Sequence, residues 1–228
     1  MYTWLNGDKY VGLWFKGLMH GEGTFFWASG DTYQGTFKKG NMEGKGLKRL
    51  ANGGVYDGDW KNNKTEGRGM KKFPAGDTHR GFYSQDTREG FGFYTWPNGD
   101  NFVGTWTDGT MSERGSKVMA NGDSYFGEWD KDKADGMGAK TFTCGDRHSG
   151  QYKKDKRCGF GTYEWTNGDR YEGYWVNGKM TGLGVKTMAT GDGKNARVVV
   201  GWWWWFVAHA VTSFLFLNLL LGDVFHIP

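Results

Sequence analysis

A glycine returns every 23 residues along this chain, at Gly7, Gly30, Gly53, Gly76, Gly99, Gly122, Gly145, Gly168 and Gly191. A fixed internal period of this length means stacked supersecondary units rather than one globular core, so it restricts the fold before any segment is assigned. With each of these glycines counted as position zero, their neighbours recur too. The next residue is Asp at every copy except Gly54. Position three holds Tyr10, Tyr33, Tyr56, His79, Phe102, Tyr125, His148 and Tyr171. Position seven holds Trp14, Phe37, Trp60, Tyr83, Trp106, Trp129, Tyr152 and Trp175. Glycine fills position five from Gly12 to Gly173 and position sixteen from Gly23 to Gly184, and position twenty is apolar from Trp27 to Met188.

Positions three, five and seven share one face of a strand, because side chains alternate with period two. A ring, a glycine and a ring on one face let the rings lean over the gap, and successive hairpins then stack them into a ladder. Units are often joined by Asn-Gly-Asp, as at Asn98-Gly99-Asp100. Asn-Gly favours a type I′ turn, which places a tight turn between repeats and a looser one near positions nine to twelve. Strands about 4.8 Å apart give roughly 9.6 Å per hairpin, and eight hairpins about 75 Å. The expectation is an all-β chain, an elongated single-layer twisted antiparallel sheet of eight stacked hairpins followed by a C-terminal apolar helix. Residues 1–6 form a partial leading strand, 7–190 the eight repeats, 191–197 a degenerate copy or linker, 198–221 the helix and 222–228 a short tail.

Composition agrees with tight turns under large rings. The chain has 40 glycines and 18% aromatic residues but only three prolines, and glycine follows no G-X-Y period, so disorder and collagen are both excluded. A net charge of +4 is too mild to announce nucleic acid. Two cysteines, Cys144 and Cys158, are too few for a disulfide framework and point to a reducing compartment. The start, Met1 to Gly7, lacks the basic-then-apolar pattern of a signal peptide.

Motifs that suggest chemistry have structural explanations. Gly-x-Gly recurs, as in Gly21-Glu22-Gly23, but a phosphate loop needs a following helix and none is indicated. The Gly-Asp carboxylates sit at turns, where Asp bonds its own backbone. Cys144, His148 and Cys158 lack a fourth zinc ligand, and His148 occupies a ring position. The sequon Asn63-Lys64-Thr65 matters only in a luminal chain. No nucleophile motif is present, and no catalytic residue, metal or cofactor is expected.

A second period overlies the first. Position eighteen reads Phe25, Lys48, Lys71, Tyr94, Lys117, Lys140, Tyr163, Lys186, and His79 and His148 lie 69 residues apart. A three-hairpin block has been duplicated. The five lysines form an interrupted basic row, a candidate contact for anionic lipid, since a lysine stem covers apolar surface while its ammonium stays in water.

The pattern Tyr-x-Gly-x-Trp, then a Gly-x-Gly pair and a Gly-Asp turn, resembles the MORN (membrane occupation and recognition nexus) repeat over Gly7 to about Thr190. Departures are His79 and His148 for the first aromatic, Glu113 for a glycine and Gly54 for Asp. The resemblance implies a non-enzymatic scaffold that docks a partner helix or peptide. The partner-binding groove would be lined by Tyr10, Trp14, Tyr33, Phe37, Tyr56, Trp60, Tyr83, Phe102, Trp106, Tyr125, Trp129, Tyr152, Tyr171 and Trp175. A soluble cytoskeletal or ciliary adaptor is one alternative. A regulatory fragment of a larger enzyme, such as a phosphatidylinositol phosphate kinase, is another.

Residues 198–221 contain no Asp, Glu, Lys or Arg, and as a helix they would span about 36 Å, against a hydrocarbon core of about 30 Å. Trp202, Trp203, Trp204 and Trp205 would form an interfacial belt, with Phe214 and Phe216 deeper, and Lys194 and Arg197 would keep the array on the cytoplasmic face. This is the layout of a tail anchor, and it partly resembles that of the junctophilins. A folded-back cap over the last hairpin, or an accident at the end of a gene model, are the other readings.

Overall fold

The computed structural model describes residues 1–190 and 197–203. A short β1 (Tyr2–Thr3) is followed by hairpins that each join a seven-residue to a longer strand. The shorter strands are β2 (Lys9–Phe15), β4 (Thr32–Lys38), β6 (Val55–Lys61), β8 (Thr78–Ser84), β10 (Asn101–Thr107), β12 (Ser124–Asp130), β14 (Arg147–Lys153) and β16 (Arg170–Val176). The longer ones are β3 (Leu18–Phe26), β5 (Asn41–Arg49), β7 (Lys64–Lys72), β9 (Thr87–Thr95), β11 (Thr110–Val118), β13 (Lys133–Thr141), β15 (Lys156–Glu164) and β17 (Lys179–Met188), and β18 spans Arg197–Trp203. Each strand pairs antiparallel with the next in the chain, so the 18 strands form one open meander. Within a hairpin, position three faces position eighteen, five faces sixteen and seven faces twelve, as in Tyr33↔Lys48, Gly35↔Gly46 and Phe37↔Met42.

The turn assignment is the reverse of the expected one. The tight two-residue turns lie inside the hairpins, as at Lys39-Gly40, which link the paired Lys38 and Asn41 with φ of 49° and 85°. Positive φ at both central residues is the type I′ signature. Asn or Asp takes the second place in half of these turns, and its side chain then accepts a backbone N–H of the preceding hairpin, as Asn63 Oδ1 does from Met42 at 2.8 Å. The Gly-Asp links are longer. Gly30 N–H donates to Trp27 O at 3.0 Å and Trp27 N–H to Asp31 O at 3.0 Å, with Gly30 at φ 94°. That is a three-residue loop closed by a left-handed glycine. Asn98 is therefore not a type I′ residue; its Oδ1 accepts the Asp100 N–H at 3.0 Å.

Each hairpin also carries a bulge between positions five and seven, opposite a left-handed residue at position fourteen such as Gly44, φ 67°. Glu113 takes this conformation, φ 54°, where the other repeats have glycine.

The expected C-terminal helix is corrected over its first turns. Residues 197–203 are strand β18, with Lys186↔Val199, Gly184↔Gly201 and Gly182↔Trp203 in register. Valines 198–200 are β-branched and favour a strand. Val199-x-Gly201-x-Trp203 keeps the glycine and second ring of a ninth hairpin, with valine in place of the first ring, five residues later than the period places them. Among the described residues no helix is long and apolar enough to cross a membrane. The remainder of the anchor assignment, with Trp204, Trp205, Phe214 and Phe216, lies outside the described residues.

Candidate functional site

The two faces of the sheet differ. On one, the rings of positions three and seven form an unbroken zigzag. Tyr10 meets Phe37 edge-on at 5.1 Å, Tyr33 meets both Phe37 and Trp60, and Tyr56 meets Trp60 and Tyr83. The pattern continues through His79, Trp106, Phe102, Trp129, Tyr125, Tyr152 and His148 to Trp175 and Tyr171. Edge-to-face contact is the favoured geometry for ring quadrupoles. The position-three ring lies flat on the glycine pair: a Cβ added to Gly35 would come 2.7 Å from Tyr33 Oη. That hydroxyl donates to the Thr36 carbonyl at 3.1 Å, within the bulged stretch between Gly35 and Phe37.

These rings are core. Of the fourteen expected to line a groove, Trp14 at the end of the array is 41% exposed and the other thirteen are buried. The expected groove is corrected accordingly, because a partner laid on this face would scarcely touch the rings. Rings and aliphatic stems at positions twelve, eighteen and twenty lie beside them, as Tyr94 and the Arg88 guanidinium do against Trp106 at 5.5 and 4.2 Å.

The two histidines act as rings. His79 and His148 are fully buried, and their Nδ1 atoms hydrogen-bond Tyr83 and Tyr152 Oη at 2.7 and 2.8 Å. Burial, reinforced by Arg88 and Lys71 at His79 and by Arg157 at His148, holds each pKa down to about 4. Both imidazoles are therefore neutral at physiological pH. Cys144 is exposed, and no group of three His, Cys, Asp or Glu side chains converges among the described residues.

The lysine row is largely neutralised. Lys117, Lys140 and Lys186 pair with Asp100, Asp123 and Asp169 at 3.3, 3.0 and 3.3 Å. Their ammoniums also lie over Trp96, Phe142 and Trp165, as Lys48 lies over Trp27 and Lys71 over Phe73. Such a row offers a bilayer little free charge; among the described residues, only Lys48 and Lys71 in it lack an ion pair.

The reverse face holds what the repeat pattern hid. At positions five and sixteen this face shows only backbone, because a Cβ there would point toward the rings, and residues at positions four, six, fifteen and seventeen rise on either side. A depression of about 400 Å³ is floored by Gly127, Gly138, Gly150 and Gly161 and walled by Phe126, Met137, Ala139 and Phe160. Met137 and Phe160 are 53% and 52% exposed, and Phe91, Phe93, Tyr174 and Leu183 extend the apolar wall along the later hairpins. The signal was present at position fifteen, which reads Phe91, Met137, Phe160 and Leu183 in four of the last five copies.

Comparison with known proteins agrees with the architecture. A family model described as "MORN repeat" matches eight consecutive windows, residues 10–32, 33–55, 56–78, 79–101, 102–124, 125–147, 148–170 and 171–193. No curated protein matches the chain. A solved structure titled "Streptogramin B lyase structure" aligns at 11% identity over 86% of this chain and 80% of that one, with a TM-score of 0.19, too low to carry an argument.

Proposed function

The chain belongs to the MORN repeat family, and from that premise we propose a non-catalytic scaffold that docks an amphipathic helix along the glycine-floored channel of its open face. A repeat scaffold is what the family and the meander support; the channel and its occupant are our reading. The observation that carries it is the exposure of Phe126 on one side, and of Met137 and Phe160 on the other, of a floor that no side chain fills. Monomeric proteins seldom leave such apolar walls open without a partner.

The spacing favours a helix. Hairpins recur about every 9.6 Å across the strands, and seven residues of helix rise about 10.5 Å. A helix with apolar residues at i, i+3, i+4 and i+7 would thus set one anchor per hairpin, slipping by about 1 Å each time. Over the hairpins of Phe126, Phe160 and Tyr174 the accumulated slip stays below half the repeat.

The test is a paired substitution, Met137→Glu with Phe160→Glu. Both side chains are half exposed, so stability should stay within about 0.5 kcal/mol of the parent. Partners recovered from cells on the parent array, then rebuilt from purified components, should bind the variant at least tenfold more weakly. Equal binding by a folded variant would remove the channel from the proposal.

A further inference from the structure

Lys71 and Lys140 hold the same position in hairpins 69 residues apart, so each serves as a reference for the other. Lys140 Nζ sits 4.7 Å from the Phe142 ring centre and 3.0 Å from Asp123 Oδ2, while Asp123 Oδ1 accepts the Thr143 N–H at 2.9 Å. In the earlier hairpin the ring is kept as Phe73, but the carboxylate and the residues around it have changed. Gly54 stands for Asp123, Pro74, which has no N–H, stands for Thr143, and Thr65 stands for Ala134. The lysine remains, with Nζ 5.2 Å from the Phe73 ring centre. Among the described residues no carboxylate forms an ion pair with Lys71. Its burial holds the ammonium below the usual lysine range, the nearby Asp86 carboxylate opposing the shift only in part and Arg88 adding to it.

A cavity of about 250 Å³ opens beside Gly54, lined also by Thr65, Lys71, Pro74 and two further lysines, Lys48 and Lys72. Thr65 is 5% exposed, and its hydroxyl has no hydrogen-bond partner. Asp86 is also on the wall, with Oδ1 occupied by the Thr65 N–H at 2.8 Å. A buried hydroxyl without a partner and a half-buried ammonium without an ion pair line one cavity, an arrangement that a filling acceptor would relieve.

We infer that this cavity receives a carboxylate from an acidic side chain of a protein partner, held by Lys71 as Asp123 is held by Lys140. A carboxylate fits better than a phosphate. The slot copies one built for Asp, and the Asp86 carboxylate on its wall repels a dianion more than a monoanion. The inference rests on the reading of the array as a protein-docking scaffold, but it uses the ring face rather than the channel.

The experiment is a titration of the full chain with a blocked hexaglutamate peptide, followed by amide and lysine side-chain NMR shifts. Inorganic phosphate and phosphatidylserine vesicles are the comparison ligands. The peptide should shift Gly54, Thr65 and Lys71 saturably. Gly54→Asp, which installs an internal carboxylate, and Lys71→Met should each weaken that binding at least tenfold, and Lys140→Met should leave it unchanged. A Cβ on Gly54 meets only side chains, Leu50 Cδ1 at 3.0 Å the nearest, so Gly54→Asp has room to fold. The Met137→Glu, Phe160→Glu variant should still bind the peptide, which separates this site from the channel. Peptide binding that survives Gly54→Asp, or phosphate or vesicles shifting the three residues where the peptide does not, would overturn the assignment.

Discussion

Adding one methyl group at Gly127 should destabilise the array, although the same change in an ordinary strand stabilises it. Glycine within a strand costs roughly 0.5–1 kcal/mol relative to alanine, so Gly→Ala is normally favourable where φ allows it. At Gly127 the φ is not left-handed, so space alone decides. The new Cβ would lie 2.5 Å from Gly138 Cα, 2.6 Å from Met137 O and 2.6 Å from Tyr125 Oη. Ordinary contact is about 3.5–4 Å, so the ring must withdraw and the facing backbone must shift, each by about 1 Å. Withdrawing the ring loosens its edge-to-face contacts with Trp129 at 5.1 Å and Tyr152 at 5.0 Å, and breaks the Tyr125 hydroxyl bond to Glu128 O at 3.2 Å. Overpacking costs about 1–3 kcal/mol, and each ring pair is worth about 0.5–1.5 kcal/mol. Against the propensity gain, the net loss should be about 2–4 kcal/mol. Gly201 is the control, because a Cβ there meets nothing within 4 Å among the described residues. Gly201→Ala should be neutral or stabilising by up to about 1 kcal/mol. Urea unfolding followed by circular dichroism, with the denaturant slope compared across variants, reads both. If Gly127→Ala moved in the same direction as Gly201→Ala, the flat packing of rings on glycine pairs would be refuted.

Trp106→Ala should cost about 3–5 kcal/mol, because it deletes a buried ring from between His79, Phe102 and Tyr94 and leaves the Arg88 guanidinium without its platform. Trp14→Ala, at the exposed end, should cost less than half as much; equal losses in chemical denaturation would mean the zigzag has no interior. Acid should weaken the fold in a window set by the histidines. Their folded pKa values near 4 lie below the ordinary 6.5, so the unfolded chain binds protons first, and stability present above pH 6.5 is lost as pH falls toward 4. At about 1.4 kcal/mol per pKa unit, the ceiling is about 3 kcal/mol for each histidine. Replacing His79 and Tyr83 by Phe and Trp, the pair found at Phe102 and Trp106, should roughly halve the slope of stability between pH 6.5 and 4, and an unchanged slope would exclude His79 as its source.

The period made the ladder legible because the residues that join one hairpin to the next must be alike in every copy. Tyr33, Gly35 and Phe37 recur for that reason, and their alternation alone places them on one face. The turns misled because Asn-Gly is only one way to reach positive φ twice: Lys39-Gly40, Asn62-Asn63 and Gln85-Asp86 all do so. The last strand was hidden by a five-residue slip and by the apolar run around it, so that Val199-x-Gly201-x-Trp203 read as the start of a helix. The channel was hidden by averaging, since position fifteen is charged at Glu22, Lys45, Arg68 and Arg114 and apolar at Phe91, Met137, Phe160 and Leu183. These failures share a cause. A side chain that every copy shares is consumed in holding the copies together, and the structure buries it: thirteen of the fourteen rings first assigned to a groove are out of reach. A position that varies from copy to copy is released from that duty and can be shaped for one partner at one place along the sheet. Gly54, Thr65 and Pro74 depart together from Asp123, Ala134 and Thr143 while Lys71 stays. Three departures together around a retained charge set this hairpin apart from its counterpart 69 residues on.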